Sequence, residues 1–216
     1  MKEGATLVLF DGEGNEYIAR LGRFRKDGSS EAQLVERLGS DQDAGVKLSV
    51  AQAIPQDRKF DLIIQKAAEL GLFELIPLET ERTIVRIPKD QYEKVHARWN
   101  RIAEQTMKQS RVSRKPNIFL PTSFSQLMEK SETYNRMFLL HPSPDAKPIH
   151  EIQPSDMGER SLLLIGPEGG FSSRECVAAK ARGATVLGLG SGILKTDTAF
   201  VAVASFFKFT SGRECS

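Results

Sequence analysis

Short apolar runs separated by turn residues dominate the first fifty positions of the chain. Thr6–Phe10 and Glu16–Leu21 flank an Asp-Gly pair at 11–12, a dipeptide typical of the turn in a β-hairpin. Two further strand-like runs follow, Gln33–Leu38 and Val46–Ala53. Several short strands with turn residues between them predict a small β-barrel.

After residue 53 the apolar residues recur every three or four positions, which is the spacing of one helix face. In Lys59–Gly71 this spacing ends at a glycine, a common residue just after a helix C-terminus. Ser172 and Glu175 have the spacing of a capping box. The predicted helices are Lys59–Gly71, Gln91–Ser110, Phe124–Lys130, Ser172–Gly183 and Thr196–Thr210.

Apolar runs without helical spacing alternate with these helices and predict strands. They are Phe73–Leu78, Thr83–Ile87, Asn117–Pro121, Met137–Pro142, Ser161–Ile165 and Thr185–Leu189. Strands that alternate with helices indicate a mostly parallel sheet with helices on both faces, the α/β class. We therefore divide the chain into a barrel domain at 1–53 and an α/β domain at 54–216.

Three predicted strands end in unusual loops, namely Leu140–Pro142, Gly166–Gly170 (Gly-Pro-Glu-Gly-Gly) and Leu189–Leu194. Ligands of open α/β sheets bind at the carboxyl ends of strands, and glycine exposes main-chain N–H and C=O groups. The loops match neither a P-loop nor a complete dinucleotide fingerprint. The three loops together predict one site built mainly from main chain, for a small molecule or RNA. Plain strand-to-helix turns are the alternative.

Composition narrows the class of protein without indicating a partner. The 216 residues are 40% hydrophobic and 27% charged, with a net charge of +2, as in an ordinary globular protein. No apolar run approaches the roughly 18–20 residues that span a bilayer, and the first residues lack the basic-then-apolar pattern of a signal peptide. We therefore expect a cytoplasmic protein with no membrane contact. Two cysteines and three scattered histidines give no metal-ligand spacing, so we expect no metal.

The strongest local charge lies between residues 98 and 115, where six Lys or Arg accompany one acid, Glu104. Such a run is either a solvated helix face followed by a loop or a phosphate-binding patch. The charge pattern alone leaves both interpretations open.

Four segments carry recognisable motifs: Ala51–Arg86 with its Lys66, Glu-Leu-Gly and Thr-Glu-Arg, Leu139–Pro142, Ile165–Glu175 and Leu187–Ala199. Together they resemble the RsmE-type small-subunit ribosomal RNA (uracil-N3)-methyltransferases of the SPOUT superfamily. The resemblance covers essentially the whole chain. It implies an S-adenosylmethionine-dependent enzyme that methylates N3 of a uridine in 16S ribosomal RNA, free or in the small ribosomal subunit.

The resemblance also implies a fold and an assembly. The N-terminal part would be a PUA-like β-barrel that helps to hold RNA. The C-terminal part would be a SPOUT domain with a trefoil knot, which forms a homodimer through the knot region. In the family a first strand and a basic helix usually precede the position of Lys2, so we expect a truncated or reduced barrel.

The same resemblance implies the residues of the site. Those expected to bind the cofactor are Leu140, His141, Ile165, Gly166, Glu168, Gly170, Leu189, Gly190, Ile193, Leu194 and Thr198. Ile193 and Leu194 would contact the adenine, and Glu168 is expected to shape its loop. Lys195 is the candidate catalytic cation, with Arg111 and Arg114 as alternatives from either subunit, because a cation stabilises the charge that develops on the uracil oxygens. No catalytic base is assigned.

The sequence departs from the family pattern near the catalytic positions. Gly192 and Lys195 replace arginines, Asp197 replaces a glutamate, and Gln109–Val112 has its arginine one place early. Three alternatives follow: an RNA-binding protein that has kept the SPOUT shape without catalysis, a methyltransferase with another RNA target, and a metabolic α/β enzyme that uses a nucleotide.

Overall fold

The N-terminal strands form a three-stranded antiparallel sheet. A computed structural model of the chain describes residues 2–40, 46–56, 59–110, 112–190, 192 and 194–210. Strands β1 (Thr6–Phe10), β2 (Asn15–Phe24) and β3 (Ser30–Ser40) lie in the order β1-β2-β3. The hairpin predicted around the Asp-Gly pair is confirmed by the antiparallel register of β1 and β2. In the described part of the chain this sheet is open, so a closed barrel stays a prediction.

A parallel eight-stranded sheet forms the body of the molecule. Its strands are β4 (Lys47–Ala53), β5 (Glu74–Glu79), β6 (Asn117–Ile118), β7 (Thr122–Ser123), β8 (Arg136–Leu140), β9 (Lys147–Pro148), β10 (Arg160–Ile165) and β11 (Thr185–Gly188). Their order is β6-β5-β4-β10-β8-β11-β9, with β7 beside β5. The central strands β4, β10 and β8 are buried almost throughout because both faces of the sheet are covered.

All five predicted helices are confirmed, and they cover both faces of the sheet. They are α1 (Phe60–Glu69), α2 (Tyr92–Ser110), α3 (Phe124–Glu129), α4 (Ser173–Ala181) and α5 (Thr196–Thr210). Helices α1, α2 and α5 share one apolar cluster with one face of the sheet, and α3 and α4 share a second cluster with the other. Successive residues of β10 alternate between the clusters, Leu163 in the first and Leu164 in the second. None of the described helices is long and apolar enough to cross a membrane.

Three strand predictions need correction. Val46–Ala53, grouped from the sequence with the N-terminal strands, contains β4, which pairs with β10 and β5 inside the large sheet. Thr83–Ile87 forms no strand, because the Thr83 hydroxyl accepts the Thr80 N–H at 3.0 Å and folds the chain into a turn. Of Asn117–Pro121, only Asn117 and Ile118 pair as a strand.

Candidate functional site

The three unusual loops begin at one edge of the large sheet. Strands β10, β8 and β11 are parallel neighbours, and their register places Ile165 beside Leu140 and Leu140 beside Leu187. The His141 N–H donates to the Leu187 carbonyl at 3.1 Å. The expectation that these loops share the carboxyl edge of a parallel sheet is therefore confirmed.

The glycines of the Gly166–Gly170 loop are needed for its backbone path and packing. The Gly170 N–H donates to the Pro167 carbonyl at 2.8 Å, and Gly170 has φ +66°. A Cβ on Gly166 would lie 3.2 Å from the ring of Phe171, which is buried against Phe124 at 6.0 Å between centroids. Much of the glycine content therefore follows from a tight turn over a buried ring.

A second loop, Thr80–Arg82, packs onto this turn. Arg82 Nη1 donates to the Gly169 carbonyl at 2.7 Å, and the Glu81 N–H donates to Glu175 Oε1 at 2.8 Å. The exposed Glu168 accepts the Gln56 N–H at 3.3 Å, the kind of loop-shaping contact expected of it. Sequence reasoning gave no role to Arg82, Glu175 or Gln56 at the site, although the Thr-Glu-Arg run was a recognised motif.

Helix α4 starts directly after the turn and is held by its own cap. The Ser172 hydroxyl accepts the Glu175 N–H at 3.2 Å, and Glu175 Oε2 accepts the Ser172 N–H at 2.9 Å. The predicted capping box is confirmed. Because the other oxygen of Glu175 holds the Thr80–Arg82 loop, one buried carboxylate fixes both the helix start and the neighbouring loop.

His141 presents an unsatisfied ring nitrogen to the glycine turn. Its Nδ1 is buried without a hydrogen-bond partner among the described residues, and it lies 4.0 Å from the place of a Cβ on Gly170. Burial, followed by the nearby charges of Arg82 and Lys180, lowers the pKa of His141, and Asp145 opposes this shift. The imidazole is therefore neutral near pH 7 and has a free hydrogen-bonding position for a ligand.

The third loop leads into α5 and leaves space beside its backbone. Gly190 has φ +89°, and no atom of the described residues lies within 4 Å of a Cβ built on it. Leu194, Lys195 and Thr198 are exposed, whereas Leu189 packs with Leu140 against the core cluster of α1, α2 and α5. Ile193 lies outside the residues that the structure describes. Space next to a left-handed glycine and exposed side chains fits a ligand held by main chain.

A cavity of about 270 Å³ lies between α1 and the start of α5. It is lined by Leu62, Ile63, Lys66, Asp197, Thr198, Phe200 and Val201. Asp197 Oδ1 is buried and has no partner within the described part of the chain. The cavity therefore combines an apolar wall with one carboxylate oxygen that lacks a donor.

The structure does not bring the candidate cations together within one chain. Lys195 follows β11 at the carboxyl edge of the sheet. The Arg114 guanidinium lies 5.5 Å from the ring centroid of Phe73, which precedes β5 at the opposite, amino edge. Strands of five or six residues at about 3.3 Å each separate the two edges by about 16–20 Å. Arg111 lies outside the described residues.

Known proteins resemble the chain over most of its length. A family model described as an RNA methyltransferase domain matches residues 42–208. The ribosomal RNA small subunit methyltransferase E of Bacillus subtilis (strain 168) is 27% identical over 204 residues, which are 92% of this chain and 79% of that protein. The protein of the same name from Synechocystis sp. is 29% identical over 201 residues, which are 92% of this chain and 64% of that protein.

Two similar solved structures contain bound S-adenosylmethionine. One is a putative methyltransferase from Legionella pneumophila, with a TM-score of 0.82 and 28% identity over 99% of this chain and 86% of that one. The other is the ribosomal RNA small subunit methyltransferase E of Neisseria gonorrhoeae, with a TM-score of 0.83 and 25% identity over 98% and 86%. The similarity therefore includes the N-terminal strands as well as the parallel sheet.

Proposed function

The chain belongs to the family of RNA methyltransferase domains, and we propose that it transfers the methyl group of S-adenosylmethionine to N3 of a uridine in 16S ribosomal RNA. The observation that carries the proposal is the meeting of the loops after β8, β10 and β11 at one sheet edge. Similar structures that bind this cofactor and relatives named as small-subunit RNA methyltransferases support it.

The residues at this edge fit the cofactor. Gly190 leaves open space beside its backbone, His141 Nδ1 has no partner among the residues described, and Leu194 is an exposed apolar side chain. The bound cofactor would supply a methyl group activated by its sulfonium. The proposed binding residues are Leu140, His141, Ile165, Gly166, Glu168, Gly170, Leu189, Gly190, Ile193, Leu194 and Thr198.

The protein contributes alignment and charge to the reaction. The loops hold the reactants in line, and this orientation lowers the barrier without a covalent intermediate. The N3 proton passes to solvent, and Lys195 stabilises the negative charge that its loss leaves on the uracil oxygens. Arg114 would contribute only from a second subunit, since it lies at the opposite edge of its own sheet. Arg111 stays an alternative.

The finer architecture belongs to the same proposal. We expect the C-terminal loops to form a trefoil knot and the N-terminal strands to belong to a PUA-like unit that holds RNA. The boundary between these two domains lies before β4 rather than after residue 53, because β4 pairs with β5 and β10 of the large sheet. We expect a cytoplasmic homodimer that pairs through the knot region. The cavity beside α5 supports a dimer, because its lining residues Leu62 and Val201 are exposed apolar side chains that a partner would cover.

Gly192 favours one competing function, an RNA-binding protein that has kept the fold without catalysis. The family pattern has an arginine at this position, and glycine lacks its charge. A chain without that charge would bind cofactor and RNA without transferring a methyl group.

Mass analysis of nucleosides from 16S RNA treated with enzyme and cofactor separates the two functions. We expect 3-methyluridine from the wild type and about 10²-fold slower formation with Lys195→Gln. Lys94→Gln, which removes an exposed lysine near the start of α2, is the control and should form the product at the wild-type rate. A different methylated nucleoside would replace the proposed target, and cofactor binding with no product would favour the inactive chain.

A further inference from the structure

Three cations surround one aromatic ring at the amino edge of the large sheet. Lys47 Nζ lies 5.8 Å, Arg114 Cζ 5.5 Å and Arg160 Cζ 5.8 Å from the ring centroid of Phe73. These four residues are called the Phe73 patch. Each of them is partly exposed. The cations come from the start of β4, the segment after α2 and the start of β10, so three distant parts of the chain converge on the ring.

The three cations differ in how far carboxylates neutralise them. Arg160 donates to the buried Glu74 at 2.8 Å, so its charge is largely satisfied inside the protein. Among the described residues Lys47 pairs only with the exposed Glu159, at 3.9 Å, and such surface pairs contribute little. Arg114 makes no ion pair with any carboxylate that the structure describes. Lys47 and Arg114 therefore keep charge for an external anion.

The Phe73 patch is continuous with the N-terminal sheet. The Gly14 N–H donates to the Ser113 carbonyl at 3.1 Å, and the Lys115 N–H donates to the Gly12 carbonyl at 2.9 Å. Arg114 lies between these bonds and forms backbone bridges to Gly12 and to Glu13, the acidic residue at this junction. The ring and this backbone anchor limit the side-chain freedom of Arg114, which reduces the entropy lost when it binds a ligand.

We propose that the Phe73 patch binds the sugar-phosphate backbone of the RNA substrate, at the end of the sheet opposite the cofactor loops. The inference rests on the proposed function, which supplies RNA as the partner. Lys47 and Arg114 pair with phosphates and release condensed counterions. The Phe73 ring holds the cations in place for this contact by cation–π attraction. RNA fits better than an apolar protein surface, because the patch exposes one ring among charges.

The test measures the affinity of the full-length chain, saturated with cofactor, for transcribed 16S RNA over a range of KCl concentrations. Lys47→Gln and Arg114→Gln are each expected to weaken binding several-fold. Each should also reduce the magnitude of the log-affinity against log-salt slope by about 0.7–0.9. Lys94→Gln, an exposed lysine near the other end of α2, should leave both quantities unchanged. Arg160 is not substituted, because its loss would leave the buried Glu74 carboxylate without its ion-pair partner.

A second variant separates the ring from the charges. Phe73→Leu retains apolar bulk, so it should weaken RNA binding while the salt slope falls by less than with Arg114→Gln. Cofactor affinity in calorimetry and the thermal unfolding midpoint serve as folding controls for every variant, and both should match the wild type.

The possible outcomes separate the inference from the proposed function. If both charge variants keep the affinity and the salt slope of the wild type, the inference is wrong, even if methyl transfer is intact. Weakened binding in these variants, with no methyl transfer by the wild type, supports the patch and contradicts the enzyme proposal. If the variants lose affinity only for assembled subunits and bind naked RNA normally, the patch contacts a protein partner and the inference is wrong. No binding of RNA by the wild type contradicts both.

Discussion

At the residue scale, the glycines of the site differ in what requires them. Gly166 is needed because a Cβ would lie 3.2 Å from the ring of Phe171, and Gly170 because its φ is +66°. Neither requirement involves a ligand. Gly190 combines φ +89° with space that no described residue fills where a side chain would lie, so packing of the described residues gives no reason for that space. Two of the three loops that predicted the site contain glycine, and only the loop after β11 has space beside its glycine that packing of the described residues does not explain.

Gly190→Val should abolish cofactor binding, since a branched side chain would occupy the space assigned to the cofactor. The positive φ also makes any valine there costly. Gly183→Val is the matched control, because Gly183 has φ +83° and equally open surroundings after α4, away from the three loops. Calorimetry should find no binding to the first variant and wild-type affinity in the second. Tight binding by folded Gly190→Val would reject the cofactor site.

His141 should make stability depend on pH. Its pKa in the folded protein lies below the ordinary 6.5, mainly through burial. Below about pH 6.5 the unfolded chain binds a proton that the folded protein does not, so the free energy of unfolding falls as the pH decreases from that value towards the folded pKa. His141→Asn should flatten this slope in urea denaturation measured across the range, whereas exposed His150→Asn should keep it. Equal slopes in all three proteins would show that His141 is not the group responsible.

At the element scale, periodicity predicted the helices well and the strands less well. The apolar face of α1 and the capping box of α4 are local signals, and both are confirmed. Thr83–Ile87 has the β-branched residues of a strand, but hydrogen bonds around Thr80 and Thr83 form a turn instead. Strand β4 was recognised and placed in the wrong sheet, because an apolar run shows that a strand is buried and not which strands it pairs with.

Glu175 should stabilise two elements at once. It is buried and accepts the N–H groups of Ser172 and Glu81. Glu175→Ala leaves both groups without this acceptor, and we expect the free energy of unfolding to fall by about 2–3 kcal/mol. Urea denaturation measures the change, with exposed Glu132→Ala expected to stay within about 0.5 kcal/mol of the wild type. A similarly small change for Glu175→Ala would show that the carboxylate does not hold the loop.

At the scale of the whole molecule, the sequence pattern does not predict the order of the strands in the sheet. Strand β10 pairs with β4, more than a hundred positions earlier, and no local pattern specifies that neighbour. The same topology places Arg114 and Lys195 at opposite edges, although they looked like interchangeable cations in the sequence. The motif similarity predicted the family, which periodicity could not, because a family pattern combines motifs from distant segments.

The proposed dimer predicts a specific effect of charge at the start of α5. Val201→Asp places a carboxylate in the exposed lining of the cavity beside α5 and should shift a dimer to monomer in sedimentation velocity. Val177→Asp introduces the same charge on the exposed face of α4 and should leave the dimer intact. A monomeric wild type would contradict the dimer, and a dimeric Val201→Asp variant would move the interface elsewhere.

Transfer of label from methyl-labelled S-adenosylmethionine tests the central claim most directly. The wild-type chain is incubated with naked 16S RNA and, separately, with assembled small subunits that lack the modification. The proposed function predicts label in the RNA of at least one substrate, recovered as 3-methyluridine after digestion. Absence of label from both substrates, with cofactor binding shown in the same preparation, would contradict the claim that this chain is a ribosomal RNA methyltransferase.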